Sequence, residues 1–194
     1  MKNKFIIALG ASAGGLRALF EFFDNTLPDG VSYVITTHLY PHQKSSLAHL
    51  IQKHAAIEVS DAENNVLIEA NQVYVMPENK VMSIKGDRLI LTDRDLSIKV
   101  NRAIDIFFNS LAKQDDFKII AIILSGMGED GTEGIKALGA NNGFVIAQDP
   151  TTADEQSMPQ SVIYANLADL VLAPKHMPAA IIKVVEEAEA RGPL

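Results

Sequence analysis

Three residues suited to acyl transfer stand at comparable places in this chain: Ser12, His38 and Asp130. Each follows an apolar run, directly or across one turn. A hydroxyl, an imidazole and a carboxylate brought together form one proton path. The imidazole takes the serine proton as the oxygen attacks a carbonyl, and the carboxylate holds the other ring nitrogen and stabilises the cation that forms. Ser12 sits in Gly10-Ala11-Ser12-Ala13-Gly14, the Gly-x-Ser-x-Gly spacing of a nucleophile elbow. Glycines suit a turn that sharp, because it needs unusual backbone angles and close approach.

Each residue also admits a plainer role. Ser12 could cap the helix that follows. A dinucleotide-binding turn fits less well. Ser12 stands where the second glycine of Gly-x-Gly-x-x-Gly belongs, and the second strand runs into His38, not an acid. His38 could be a polar strand end in a chain that also holds His42, His49, His54 and His176, with His49 and His54 on a helix facing solvent. Asp130 could cap its own helix, since Asp130-Gly131-Thr132-Glu133 has capping-box spacing, and Glu129 and Glu133 compete with it as the acid. The chain order serine, histidine, acid differs from the serine, acid, histidine order of the α/β-hydrolases.

The elements that must position these residues read as alternating strands and helices. Phe5 to Leu9 and Val31 to Thr37 are short apolar runs rich in β-branched and aromatic residues, and Lys118 to Leu124 is the most apolar strand of all. Helices are expected after Gly15, from Lys44 to His54, from Ala103 to Lys113, from Glu133 to Leu138, after Met158 and from Pro178 to Arg191. Further strands are expected at 57–59, 144–147 and 169–172. Within residues 66–92 the runs Val73-Tyr74-Val75-Met76, Val81-Met82-Ser83-Ile84 and Leu89-Ile90-Leu91 are spaced as antiparallel hairpin strands. The pattern predicts an α/β fold: one domain over 1–194, with a doubly wound, mostly parallel sheet and an inserted antiparallel β-hairpin region. In such a sheet all strand carboxyl ends share one edge, where ligands bind, and Ser12, His38 and Asp130 all fall there.

Composition narrows the rest. The net charge of −7 argues against a nucleic-acid partner. The absence of cysteine excludes disulfides and thiolate metal sites and fits a cytoplasmic location. Lys2 and Lys4 precede an apolar run too short for a secretory signal, and no window approaches the length of a membrane span. Neither a metal nor a cofactor is expected.

Taken together, Leu9-Gly10-Ala11-Ser12-Ala13-Gly14-Gly15, His38-Leu39-Tyr40-Pro41, Leu124-Ser125-Gly126-Met127-Gly128-Glu129-Asp130-Gly131, Ala147-Gln148-Asp149 and Ser157-Met158-Pro159 resemble the catalytic domain of the chemotaxis receptor methylesterases, the CheB family. Fainter echoes are Met76-Pro77 and Ile104-Asp105-Ile106-Phe107-Phe108. The resemblance implies a serine hydrolase that removes methyl esters from glutamyl side chains on the cytoplasmic helices of chemoreceptors, releases methanol, and in some members deamidates glutamine. It implies Ser12 as nucleophile, His38 as base and Asp130 as acid, with backbone N–H groups at Ala13 and Met127 as oxyanion donors. Family members usually carry a receiver domain ahead of this one. Met1 lies four residues before the first strand, so no receiver is expected in this chain: it reads either as a free-standing esterase or as a piece of a larger fusion protein, in which a receiver or methyltransferase domain would be a partner. Ala13 and Leu39-Tyr40 depart from the threonine and the methionine–proline pair common in the family. The rival expectation is a regulatory module that docks to receptors without turnover.

Overall fold

A computed structural model of the chain describes residues 4–38 and 45–191. Its central sheet is assembled from the apolar runs. β1 (Phe5–Ala11) and β2 (Val31–Thr37) are buried along their whole length. β8 (Lys118–Ile123) is buried beyond its first residue. Strands buried on both faces belong to parallel sheets covered by helices, and this accounts for runs without polar alternation.

Seven strands line up in the order β10 (Leu170–Leu172), β9 (Phe144–Gln148), β8, β1, β2, β5 (Gln72–Val75), β3 (Glu58–Asp61), and every neighbouring pair is parallel. Going along the chain from β1, the strand order runs one way through β2 and then returns to the other side at β8. The reversal opens a crevice at the carboxyl ends of β1 and β8.

Alternate residues of each strand serve two cores. Ile6 and Ala8 of β1 join Ala121 and Ile123 of β8 beneath α3 (Ala103–Leu111), α4 (Thr132–Gly139) and α5 (Ser157–Tyr164). Ile7 and Leu9 join Ile120 and Ile122 beneath α1 (Gly15–Phe23), α2 (Leu47–Gln52) and α6 (Met177–Ala190).

The hairpin region has three strands, as the spacing suggests, but one of them is not the run expected. β6 (Lys80–Lys85) and β7 (Arg88–Asp93) pair antiparallel, with β4 (Val66–Leu67) on the other side of β7. The run Val73–Val75, expected there too, instead forms β5 of the parallel sheet. Its three buried residues leave no polar face, which fits a strand covered on both sides. α2 is shorter than the expected helix, whose first residue, Lys44, lies outside the described residues, as does the expected loop Leu39-Tyr40-Pro41-His42. Among the described residues no helix is long and apolar enough to cross a membrane.

Candidate active site

β1 ends at Ala11, and the chain turns within three residues into α1. Gly14 takes the left-handed conformation (φ 73°), where a side chain would also meet Asp154 Cβ at 2.6 Å and Ser125 Oγ at 2.6 Å. Gly10 and Gly15 are packed as closely, against Ile104 Cγ2 and Ala11 Cβ at 2.7 Å each. A glycine-lined elbow is therefore a steric requirement here. Ser12 does not cap α1. Its hydroxyl instead lies 3.1 Å from Nδ1 of His38, at the end of β2.

The other ring nitrogen of His38, Nε2, is 2.6 Å from Oδ2 of Asp130. An ionised carboxylate only accepts hydrogen bonds, so this short contact places the ring proton on Nε2. Nδ1 is left with its lone pair facing the Ser12 hydroxyl. Burial increases along the line: the His38 side chain is 21% exposed and that of Asp130 6%. The structure thus brings Ser12, His38 and Asp130 into one hydrogen-bonded series from lip to interior. Glu129 is exposed and turned toward Arg102, 4.0 Å away. Glu133 lies in the first turn of α4. His54 pairs with Asp24 and stacks on Phe20, away from this series, and His42 lies outside the described residues.

Asp130 is not the cap of its own helix. That position falls to Gly131, which has no side chain to offer. The Asp130 carboxylate caps α3 instead, accepting from the N–H of Ile104 at 3.0 Å and of Asp105 at 2.9 Å. Asp105 returns the arrangement: its Oδ1 accepts from the N–H of Gly131 and of Gly134, both at 2.9 Å, at the start of α4. Two buried carboxylates thus exchange helix ends, each meeting free N–H groups and the positive end of the other's helix. Asp105 appeared in the sequence only as part of a faint motif. An acid among the apolar residues Ile104, Phe107 and Phe108 in the first turns of the helix is the available signal.

Burial pushes the Asp105 carboxyl above its ordinary value of 3.8; the Gly134 N–H pulls it back, the Asp130 charge adds to the rise, and Arg102 opposes it. The folded protein therefore holds this proton more tightly than the unfolded chain does. Over the range from 3.8 up to the raised value, stability falls as pH rises, because the unfolded state binds fewer protons. Asp105→Asn does not titrate. Urea unfolding of both proteins at a series of pH values is expected to show the difference in stability shifting against the wild type over that window. A difference independent of pH would contradict this account.

The backbone groups at Ala13 and Met127 are set by pinned peptide planes. The Ser12 carbonyl accepts from Gly15 N–H at 2.9 Å, and the Gly126 carbonyl from Met158 N–H at 3.0 Å. A trans peptide points its N–H opposite to its carbonyl, so both pins fix the direction of the Ala13 and Met127 N–H groups. Among the described residues neither N–H has an acceptor.

The two turns are also tied to each other. Ser12 N–H donates to the Ser125 carbonyl at 3.0 Å, and Ser125 Oγ donates to the Ala13 carbonyl at 2.8 Å while accepting from Glu155 N–H at 2.9 Å. Gln148, buried at the end of β9, accepts from Ser125 N–H at 2.8 Å. The hydroxyl of Ser157 spans the 126–128 turn, donating to the Gly126 carbonyl and accepting from Gly128 N–H. Each of these bonds joins segments far apart in the chain, so the local motifs carry no sign of them.

Parallel strands carrying a serine–histidine–aspartate series at the crevice between β1 and β8 define an α/β chain with the layout of a serine hydrolase. The family can be stated as well. The family model described as CheB methylesterase matches residues 7–181, and the chain belongs to that family. It is 34% identical over 97% of its length to the protein-glutamate methylesterase/protein-glutamine glutaminase of Bacillus licheniformis. A provisionally named protein-glutamate methylesterase/protein-glutamine glutaminase of Leptospira interrogans is 32% identical over 88% of the chain. The chain spans 90% of the Leptospira protein but 54% of the Bacillus one. The crystal structure of the Thermotoga maritima CheB methylesterase catalytic domain matches with a TM-score of 0.82 at 30% identity, over 94% of this chain and 99% of that one.

Proposed function

We propose that this chain is a cytoplasmic serine esterase that hydrolyses methyl esters of glutamyl side chains on chemoreceptor helices. The hydrogen-bonded series Ser12–His38–Asp130, in a chain of this family, carries the reading. Ser12 Oγ attacks the ester carbonyl as its proton passes to Nδ1 of His38. Asp130, held at Nε2, stabilises the imidazolium. The oxyanion is met by the N–H groups of Ala13 and Met127, whose peptide planes are held by Gly15 N–H and Met158 N–H; one such donor is typically worth about 3 kcal/mol. Collapse breaks the bond to the methoxy oxygen, which takes the proton from His38 and leaves as methanol. Water then attacks the glutamyl ester of Ser12, with His38 as base again, and frees the glutamate.

The shape supports a large, folded substrate. Ala13 is exposed, and Met127 is 60% exposed, so the scissile group can be presented on a helix surface without a deep pocket. A glutamine side chain at the same place would lose ammonia by the same steps, in keeping with the second half of the relatives' names. The whole domain from 1 to 194 is assigned this role. Methanol release from methylated receptor, compared with hydrolysis of a small chromogenic ester, tests the substrate class. Turnover of the methylated receptor is expected to dominate. Equal or better turnover of the small ester would point to a general esterase.

A further inference from the structure

We propose that Asp105 is a positioning residue for this reaction, fixing the turn that carries Asp130 to the same helix end whose amides hold the Asp130 carboxylate. The inference rests on the reading of Ser12, His38 and Asp130 given above. Its ground is a closed ring of contacts. The N–H of Asp105 donates to Asp130 at 2.9 Å, and the carboxylate of Asp105 accepts at 2.9 Å from Gly131, the residue joined to Asp130. A second arm of the same carboxylate oxygen reaches Gly134 at 2.9 Å, and the other oxygen faces Arg102 at 3.1 Å. Asp130 can therefore neither rise toward His38 nor sink from it without breaking bonds at both ends of the ring.

The packing at both amide donors is tight. A Cβ on Gly131 would meet Ile123 Cδ1 at 2.7 Å and Ile104 Cγ2 at 2.8 Å, and one on Gly134 would meet Phe108 Cβ at 2.5 Å. Glycines at both amide donors let α4 press against α3 closely enough for one carboxylate to reach both. Neither Arg102 nor Gly131, at the cap positions, supplies a side-chain cap to its helix, so the exchange between Asp105 and Asp130 replaces both local caps. A second buried acid beside the first is unfavourable for its own charge. A helix cap alone could be had more cheaply from serine or asparagine at the cap position. What the carboxylate at 105 adds is a fixed position for Asp130.

The test uses the full chain with Asp105→Ala, Asp105→Asn and Asp105→Glu, each checked for folding by circular dichroism. Loss of the acceptor in Asp105→Ala is expected to lower kcat for methanol release about 10- to 100-fold with KM little changed, the scale of a misplacement of roughly 1 Å. Labelling of Ser12 by a serine-reactive phosphonate should slow by the same factor. Asp105→Asn keeps an oxygen acceptor and should restore both rates to within about threefold. The proton resonance of His38 Nε2–H should keep its low-field position in the asparagine variant and shift in the alanine one.

A folded alanine variant with wild-type kcat and labelling rate would overturn the proposal. So would an asparagine variant as impaired as alanine. If the alanine chain does not fold, Asp105→Glu decides: its longer arm displaces the turn and should lower both rates, and wild-type rates would overturn the idea. The labelling rate needs no receptor, so a wild type that labels but releases no methanol refutes the substrate class and still judges Asp105.

Discussion

Ser12→Ala is expected to lower methanol release from methylated receptor by about 10⁴- to 10⁶-fold, since the members of such a series act as a unit. That corresponds to roughly 5–8 kcal/mol of lost transition-state stabilisation. The structure makes the substitution a clean one. The Ser12 hydroxyl bonds to His38 alone among the described residues, and it does not cap α1. The elbow is held by backbone contacts that alanine retains: Ser12 N–H to the Ser125 carbonyl and the Ser12 carbonyl to Gly15 N–H. Folding should therefore be unchanged, and KM little affected, with the whole loss in kcat. The phosphonate should fail to label the variant. Methanol release at the wild-type rate by a folded Ser12→Ala chain would remove the nucleophile assignment, and with it the proposed chemistry.

What could be read ahead of the structure followed from local pattern and one topological rule. The runs that became β1, β2 and β8 are apolar and end in a glycine turn or a polar residue, so their carboxyl ends could be placed on one edge without knowing any contact. Ser12, His38 and Asp130 were legible on that basis. Where two elements far apart in the chain decide the outcome, the pattern ran out. Val73–Val75 resembles a hairpin strand because its flanks are turns, yet it slots beside β2, and only the buried faces of the assembled sheet show why. Asp130 fits a capping box with Glu133 on spacing alone, but its carboxylate caps α3, twenty-five residues or more away in sequence. Asp105 was hidden for the same reason: its partners are Gly131 and Gly134, at the cap and in the first turn of α4. Spacing within one helix says nothing about exchange between two.

The exchange of helix ends also makes Asp130→Asn a severe change despite its near-identical shape. Oδ2 of Asp130 faces two donors, His38 Nε2–H at 2.6 Å and Ile104 N–H at 3.0 Å, while Oδ1 faces Asp105 N–H at 2.9 Å. An asparagine has one oxygen to serve both sides. With its NH₂ toward Asp105 N–H, two donors confront each other in a buried site, at a cost of about 1–3 kcal/mol. With its NH₂ toward His38, it opposes Ile104 N–H and favours the imidazole with its proton on Nδ1, the nitrogen that must accept from Ser12. Either orientation impairs the variant, and the second removes the base. The expected result is a loss in kcat of about 10³- to 10⁴-fold, comparable with wrong-tautomer variants of serine proteases, together with a measurable loss of stability to urea. Stability and kcat should fall together in Asp130→Asn, whereas Ser12→Ala should lose kcat alone. A folded Asp130→Asn chain with kcat within tenfold of wild type would mean that the carboxylate does not govern the histidine, and the series from lip to interior would have to be read as structural at its inner end.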